Sequence, residues 1–239
     1  MKIALIGYGK MGKTIEKEAV ERGHEIVLAI DMINKDYSAD TLKAADVAIE
    51  FTQPEAAVKN IYKCFEAGVP VVVGTTGWYG DFDEVKKKCE ETKGTLFTAT
   101  NFSIGVNITF AVNRYLAKIM NGQPSYKVSM SETHHTQKLD APSGTAITLA
   151  EQIINTHDNY DAIALAGRDV VSEKTLPVTA HRIDDVPGIH EVMYKNDIDE
   201  ITLKHSAYSR KGFGLGAVVA AEWTVDKQGV FTMGDMLKF

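Results

Sequence analysis

The sequence predicts an α/β protein in which a doubly wound parallel sheet is followed by a second, α+β domain with a sheet of its own. Three observations predict this class. Short apolar runs alternate with single helical patterns over the first hundred residues, period-2 segments dominate residues 126–209, and a helical pattern returns near residue 213. Strands separated by single helices indicate a parallel sheet, whereas alternating segments joined by turns indicate antiparallel pairing.

The first hundred residues contain five candidate strands and three candidate helices. Gly23 ends the first helix, and the second has Pro54 in its first turn and Gly68 at its end, both typical of helix boundaries. The strands are KIALIG, EIVLAID, DVAIEFT, PVVVGTT and TLFTAT, and the helices are KMGKTIEKEAVERG, PEAAVKNIYKCFEAG and FDEVKKKCEET.

The pattern changes after NFSIGVN. ITFAVNRYLAKIM and SGTAITLAEQIIN are helical and flank the alternating segment YKVSMSET. Three more period-2 segments, PVTAHRIDD, GIHEVMYKN and EITLKHSAYS, are joined by turn residues such as Asn196 and Asp197 and predict an antiparallel sheet. GFGLGAVVAAEWTV is helical and is expected to rejoin the first domain. We therefore expect one domain at 1–103 and 213–239, and a second at 104–212.

Composition limits the class of partner. The 239 residues carry a net charge of −6, which leaves no excess basic surface for nucleic acid but allows a local cationic pocket for a small anion. Apolar runs are too short for a membrane span, and MKIALIG lacks the layout of a signal peptide. Cys64 and Cys89 form no metal or redox motif, so we expect two thiols in a cytoplasmic protein.

Residues 7–14 read GYGKMGKT and match two nucleotide-binding motifs at once. Gly7, Gly9 and Gly12 fit the dinucleotide fingerprint of a Rossmann-like fold, which needs a tight turn, a close approach to pyrophosphate and close packing of helix on strand. Gly7 and Gly12, followed by Lys13 and Thr14, also fit the phosphate-binding loop of triphosphatases. A structural glycine turn that binds nothing is the third possibility.

Asp31 favours the dinucleotide, because an acidic residue at the end of the second strand can bind an adenosine ribose. Gly9 and the GTTG run at 74–77 favour it too, although DVAIE leaves open a triphosphatase whose third strand ends in a magnesium-binding acid. The carboxylate would repel a 2′-phosphate, and Met32 follows it instead of an arginine. We therefore expect NADH as the preferred cofactor, with NADPH tolerated if Lys35 or Lys10 reaches its phosphate.

The segment ETHHTQKLDAPSGTA at 132–146 places His134, His135 and Lys138 ahead of a turn that opens a helix. A regular strand would point the two histidines to opposite faces, whereas a turn at the strand's end would let both line one site. The amides of residues 143–145 would then point outward at the helix N-terminus, where a carboxylate binds well. The segment therefore predicts an anion site beside a proton donor.

Two other chemistries fit this segment less well. A metal site would use Glu132, His134, His135 and Asp140 as its ligands. That spacing matches no zinc pattern, and the ammonium of Lys138 would oppose a cation, so no metal is expected. A serine hydrolase would need a G-x-S-x-G elbow, which Ser143 lacks.

Together with GYGKMGK, EFTQPE, VVGTTG, TATNFSIGVN and SRKGFGLGA, this segment makes nearly the whole chain resemble the bacterial dihydrodipicolinate reductase (4-hydroxy-tetrahydrodipicolinate reductase) family. The resemblance implies NAD(P)H-dependent reduction of a cyclic dicarboxylate in lysine and diaminopimelate biosynthesis, with hydride added at C4. The substrate would be 4-hydroxy-tetrahydrodipicolinate or its dehydrated form. The resemblance also implies a homotetramer that assembles through the mixed or antiparallel sheet of the second domain.

The resemblance implies the roles of individual residues. His134 would be the general acid and Lys138 its catalytic partner. The substrate would be bound by His135, Lys138, Ser143, Gly144, Thr145 and Arg210. The cofactor would be bound by Gly7, Tyr8, Gly9, Lys10, Met11, Gly12, Asp31, Gly74, Thr75, Thr76, Ala99, Thr100, Asn101 and Phe102.

The chain departs from the family at Met32, which stands where a basic residue is usual, and the segment between Asp31 and Asp46 is short. Two rival functions share the glycine loop: another two-domain dehydrogenase, such as an aspartate dehydrogenase, and a regulator that senses the dinucleotide without turnover. Neither explains the HHxxKxDxPSGT pattern.

Overall fold

The computed structural model describes residues 1–31 and 37–239, which divide into two compact units. The first comprises Met1–Ile104 and Lys211–Phe239, and the second comprises Gly105–Arg210. Met32 and Lys35, which enter the argument on cofactor preference, lie outside the described residues. The assignment of the cofactor to the first unit, and of substrate and oligomerisation to the second, stays a prediction.

The described chain contains eleven strands and eight α-helices, with a short 3₁₀ turn at Tyr79–Asp81. The strands are β1 (Lys2–Ile6), β2 (Glu25–Ile30), β3 (Val47–Glu50), β4 (Val71–Val73), β5 (Thr95–Thr98), β6 (Lys127–His134), β7 (Ala162–Leu165), β8 (Thr175–Arg182), β9 (Gly188–Lys195), β10 (Glu200–Ala207) and β11 (Gly229–Phe231). The helices are α1 (Lys10–Glu21), α2 (Ala39–Leu42), α3 (Pro54–Ala67), α4 (Phe82–Glu91), α5 (Ile104–Met120), α6 (Gly144–Ile154), α7 (Lys211–Thr224) and α8 (Met233–Leu237).

The first unit is built on a six-stranded sheet with the order β11-β5-β4-β3-β1-β2. All of these neighbours pair in parallel, so the predicted doubly wound parallel sheet is confirmed. The sequence did not indicate β11 or α8, because elements of three and five residues are too short to establish a period. Helix α3 begins at a proline and ends at Gly68, which has φ +70°, as expected.

Helices cover both faces of this sheet, and β4 shows why its strands read as continuous apolar runs. All three valines of β4 are fully buried. Val71 and Val73 pack into the core under α3, whereas Val72 packs on the opposite face with residues of α7. Parallel strands buried on both faces lose the polar alternation of a half-exposed strand.

The second unit has a five-stranded mixed sheet with the order β10-β9-β6-β8-β7. β9 pairs antiparallel with β10 and β6, as the alternating segments predicted. The expectation that PVTAHRIDD belongs to an antiparallel arrangement was wrong, since β8 runs parallel to both β6 and β7. β7 returns through α6 and β8 follows β7 through the loop at 166–174, so neither strand forms a hairpin with the strand before it and both run parallel to their neighbours.

One face of the second sheet carries a buried core with α5 and α6, in which Tyr194 and Ile153 are fully buried. On β10 and the turn before it, Ile198 is 88% and Ile201 is 41% exposed. Among the described helices, none combines the length and apolar character that a membrane crossing requires.

Candidate active site

The glycine loop between β1 and α1 is shaped by close backbone contacts. Gly7 has φ +103°, and a Cβ there would lie 2.1 Å from the carbonyl oxygen of Phe51. A Cβ on Gly12 would lie 2.3 Å from the carbonyl oxygen of Gly7. With any larger residue at this position, α1 could not pack so closely on the loop. Gly9 is the N-cap of α1 and leaves open space within 4 Å of its Cβ position. The loop thus leaves room for a pyrophosphate at the start of a helix.

A cavity of about 620 Å³ lies beside this loop. Its lining consists of Ile6, Gly7, Tyr8, Gly9, Ile30, Asp31, Tyr37, Phe51, Thr52, Gln53, Ala56, Lys59, Asn60 and Lys63. Four predicted cofactor residues are therefore brought together here: Gly7, Tyr8, Gly9 and Asp31. Lys10, Met11 and Gly12 continue from the loop into α1. A cavity beside the glycine loop with an acidic residue in its lining is what the adenosine half of a dinucleotide would need.

The remaining predicted cofactor residues follow β4 and β5 at the same edge of the sheet. Thr75 accepts a 2.7 Å hydrogen bond from the backbone N–H of Thr52, which ties the turn after β4 to the cavity lining. Phe102 is buried, and its ring centroid lies 5.6 Å from that of Phe51. Asn101 accepts a hydrogen bond from the N–H of Ser103. Gly74, Thr76, Ala99 and Thr100 lie beside these residues in the chain, and their contact with a cofactor stays a prediction.

Glu50 is the acid at the end of DVAIE that a triphosphatase would use to bind magnesium, and its surroundings do not suit that role. Its side chain is fully buried at the end of β3, where it accepts hydrogen bonds from Thr52 and from Asn60. Burial raises the pKa of Glu50, although these hydrogen bonds oppose the rise. A buried carboxyl group held by neutral donors is a poor ligand for Mg²⁺, which keeps several waters.

In the second unit, a buried carboxylate organises the predicted catalytic segment. Glu132 on β6 is fully buried, and its Oε2 lies 3.3 Å from Nδ1 of His134 and 3.9 Å from Nε2 of His190. The first distance is that of an ion pair, although the N–H direction does not meet hydrogen-bond geometry. The backbone N–H of Ser143 donates to the same Oε2 at 3.1 Å. Because β6 and β9 pair Glu132 with His190, the three side chains share one face of the sheet.

Arg182 on β8 closes this cluster from the other side. Its Nη2 donates to Oε1 of Glu132 at 3.2 Å and to the carbonyl oxygen of Asp140 at 2.7 Å. Its Nε donates to the carbonyl oxygen of Lys138 at 3.2 Å. The guanidinium therefore neutralises the buried carboxylate and holds the loop between β6 and α6 against the sheet.

Glu132 and His190 differ in charge at neutral pH because of their surroundings. Burial raises the pKa of Glu132, but the contact with His134 and the hydrogen bond from Ser143 outweigh that effect and lower it to about 2. Burial, with the nearby His134, lowers the pKa of His190 to about 4. At neutral pH the carboxylate is thus ionised and His190 is neutral. The side chain of His190 also hydrogen-bonds Oγ of Ser143 at 3.0 Å.

Ligand atoms of Glu132, His134 and His190 lie within 4.8 Å of one another, a spacing that a metal ion can use. The two carboxylate oxygens, however, already accept hydrogen bonds from Arg182 and from the N–H of Ser143. A guanidinium 3.2 Å from the carboxylate opposes a second cation, so the set fits a hydrogen-bonded cluster better than a metal centre.

Ser143 is the N-cap of α6, and its Oγ accepts a hydrogen bond from the N–H of Ala146. The expectation that its own N–H points outward was wrong, because that group donates inward to Glu132. Gly144 is exposed at the first position of the helix, followed by Thr145.

The other predicted residues lie around this turn or outside it. Lys138 Nζ contacts both carboxylate oxygens of Asp140 at 2.9 Å, and this lowers the pKa of Asp140. His135 follows β6, is half-buried, and has no hydrogen-bond partner at Nδ1 within the described chain. Arg210 is exposed just before α7.

Sequence reasoning missed Arg182 and His190 and considered Glu132 only as a metal ligand. One signal was available: Glu132 and His134 are two apart in an alternating strand and must share a face. The partners on β8 and β9 could not be found without the strand order and register. In the first unit the missed residues are Lys59, Asn60 and Lys63 of α3, whose spacing places them on one helical face.

Known proteins show the same two-part organisation. The dihydrodipicolinate reductase N-terminus model matches residues 1–102, and the C-terminus model matches residues 105–237. A 4-hydroxy-tetrahydrodipicolinate reductase of Christiangramia forsetii is 46% identical over 237 residues, covering 99% of this chain and 98% of that protein. One of Archaeoglobus fulgidus is 36% identical over 263 residues and covers both chains completely.

Solved structures agree on the fold. The dipicolinate-bound dihydrodipicolinate reductase of Paenisporosarcina sp. TG-14 has a TM-score of 0.81 at 20% identity, covering 99% of each chain. An amine dehydrogenase of Mycobacterium smegmatis has a TM-score of 0.61 at 12% identity, covering 98% of this chain and 95% of its own. The family matches and the identity along the whole chain show that it belongs to the dihydrodipicolinate reductase family, NAD(P)H-dependent oxidoreductases of lysine and diaminopimelate biosynthesis.

Proposed function

We propose that this reductase converts 4-hydroxy-tetrahydrodipicolinate, or its dehydrated form, into tetrahydrodipicolinate, with hydride added at C4 and His134 as the general acid. The observation that carries the proposal is the placement of His134. It is buried at the end of β6, with Nδ1 3.3 Å from a buried carboxylate oxygen, in the cluster that also holds the N-cap of α6. A proton donor beside an anion site is what reduction of a conjugated imine dicarboxylate needs.

His134 would deliver the proton from Nε2, since Nδ1 faces Glu132. The Cβ position of Gly188 lies 3.1 Å from Nε2, so the glycine leaves space at the reacting nitrogen. Proton transfer in the transition state is worth about 10² to 10⁴ in rate. This proton would go to the substrate as its ring accepts electron density.

The substrate carboxylates would be held by the start of α6 and by Lys138. Gly144 and Thr145 occupy the first helical positions, where the helix dipole favours an anion. Ser143 contributes indirectly, because its N–H and hydroxyl are used inside the cluster. The side chain of Asp140 is 60% exposed, so its pair with Lys138 is weak and a substrate carboxylate can replace it. His135 and Arg210 remain proposed substrate ligands.

NADH is the proposed preferred cofactor, and the nicotinamide ring supplies the hydride when it is bound. Gly7, Tyr8 and Gly9 would hold the pyrophosphate, and Asp31 would accept hydrogen bonds from the adenosine ribose. The same cavity contains Lys59 and Lys63, so its charge does not exclude a 2′-phosphate. The preference therefore depends on whether the carboxylate or the lysines lie closer to the 2′ position.

A homotetramer is the proposed assembly, with the exposed side chains of Ile198 and Ile201 on its buried face. Apolar side chains exposed at the edge of a sheet favour association. A cytoplasmic location is proposed with it.

The function is tested by oxidation of NADH and NADPH at 340 nm, with substrate made in situ by a dihydrodipicolinate synthase from pyruvate and aspartate semialdehyde. Oxidation that depends on the synthase supports the reductase, and the ratio of the two cofactors tests the preference. Oxidation with oxaloacetate and ammonia but not with the synthase product would instead indicate an aspartate dehydrogenase. Binding of NADH without any turnover would indicate a sensor.

A further inference from the structure

We propose that Glu132 is a positioning residue that couples the orientation of His134 to the N-terminus of α6, so that proton donor and anion site are held by one carboxylate. The inference rests on the proposed role of His134 as the general acid. Its basis is that Oε2 of Glu132 lies 3.3 Å from Nδ1 of His134 and accepts from the N–H of Ser143 at 3.1 Å.

The carboxylate has no exposed surface, so its charge must be compensated within the protein. Arg182 provides this compensation at Oε1, which leaves Oε2 to His134 and Ser143. Arg182 also binds two carbonyl oxygens of the loop that joins β6 to α6. The geometry of the loop, the helix start and the imidazole therefore depends on one ionised side chain.

An imidazole needs such a partner because its ring can rotate and its two nitrogens are not equivalent. A carboxylate at one nitrogen keeps a proton on that nitrogen and orients the other, so the ring that donates a proton from Nε2 is the imidazolium with both nitrogens protonated. Here Glu132 lies at Nδ1, while Nε2 lies toward Gly188. The neutral His190 packs edge-on against the ring, with centroids 5.0 Å apart, and restricts its tilt.

The experiment compares Glu132→Gln, His134→Gln and the double variant in the synthase-coupled assay. Glu132→Gln keeps the size and one acceptor oxygen but removes the charge. We expect kcat to fall about 10- to 100-fold, as for other carboxylates that orient a functional histidine, with an unchanged KM for NADH. The matched control is Glu191→Gln on the neighbouring strand, whose carboxylate pairs with Lys204 at 3.2 Å and should leave kcat unchanged.

The double variant separates positioning from an independent role. If Glu132 acts through His134, the double variant turns over as fast as His134→Gln alone. A multiplicative loss, or a normal kcat in Glu132→Gln, overturns the inference. If His134→Gln retains full turnover, the general-acid proposal fails first; if His134→Gln is slow while Glu132→Gln is normal, only the positioning inference fails.

Glu132→Gln could fail to fold, since it removes a buried charge beside Arg182, so a measurement on the unaltered protein is also needed. In ¹⁵N spectra of histidine-labelled protein at neutral pH, we expect the His134 signal to show a proton on Nδ1. An unprotonated Nδ1 overturns the inference, whatever the variants do.

Discussion

The glycine loop of the first unit consists mainly of backbone groups, whereas the Glu132 cluster of the second consists of side chains. The loop uses backbone: Gly7 and Gly12 approach other main-chain atoms so closely that a Cβ would meet them at 2.1 and 2.3 Å. The cluster uses side chains, with a buried carboxylate held between a guanidinium and two histidines. A site made of backbone is broken by added volume, whereas a site made of buried charges is broken by lost charge.

The same comparison explains what each site can do. A wall of amides and small residues accepts a large, flexible ligand by shape and adds little reactivity of its own. Buried ionisable groups instead hold a proton at a defined atom, which is a condition for catalysis. Four predictions test the contrast, in order of expected effect.

Loss of the proton donor should have the largest effect. We expect His134→Gln to lower kcat about 10² to 10⁴-fold with little change in the KM for substrate, because the acid acts in the transition state. Steady-state kinetics with the synthase-coupled assay measures this. His181→Gln, at an exposed histidine of β8, is the control and should behave like the unaltered protein. A loss of affinity with normal turnover would contradict the acid role.

Added volume should separate two glycines of the same loop. Gly7→Ala forces a Cβ against the Phe51 carbonyl at positive φ, and we expect it to lower the free energy of unfolding by about 3 kcal/mol or more. Gly9→Ala meets no atom within 4 Å, so it should unfold normally and yet bind NADH more weakly. Urea unfolding and NADH titration measure the pair. Equal stability of the two variants would contradict the packing argument.

Acidification should destabilise the cluster in two steps. On folding, the pKa of His190 falls from 6.5 to about 4, so the unfolded chain takes up that proton first and stability falls as the pH drops through this range. The pKa of Glu132 falls from 4.5 to about 2, so a second loss follows at lower pH. Each step amounts to about 3 kcal/mol. In urea unfolding between pH 7 and 4, His190→Gln should flatten the first step, and His181→Gln should not.

Charge on the cavity wall should have the smallest effect. Lys59 is exposed and lines the cavity with Asp31, whereas Lys63 donates to the carbonyl oxygen of Tyr37 at 2.8 Å. We expect Lys59→Ala to lower kcat/KM for NADPH about tenfold, or ~1.4 kcal/mol, and to leave NADH unchanged. Lys87→Ala, at an exposed position of α4, is the control and should change neither value. An equal loss with both cofactors would show that Lys59 does not bind the 2′-phosphate.

Much of the fold could be predicted because it is encoded locally. The first five strands and the boundaries of α3 at Pro54 and Gly68 follow from apolar period and backbone preference within a few residues. The mixed pairing of β8 could not, because alternation defines a strand without naming its neighbour.

The candidate sites also have a part that the sequence predicts and a part that it does not. Contiguous residues were enough to predict the glycine loop between β1 and α1, the two histidines ahead of a helix start and the family to which the chain belongs. The contacts of Glu132 with Arg182 and His190, and the inward direction of the N–H of Ser143, depend on the folded arrangement of the strands. Those contacts join residues as distant in the chain as Glu132 and His190, and burial, which depends on the whole fold, then determines their charges.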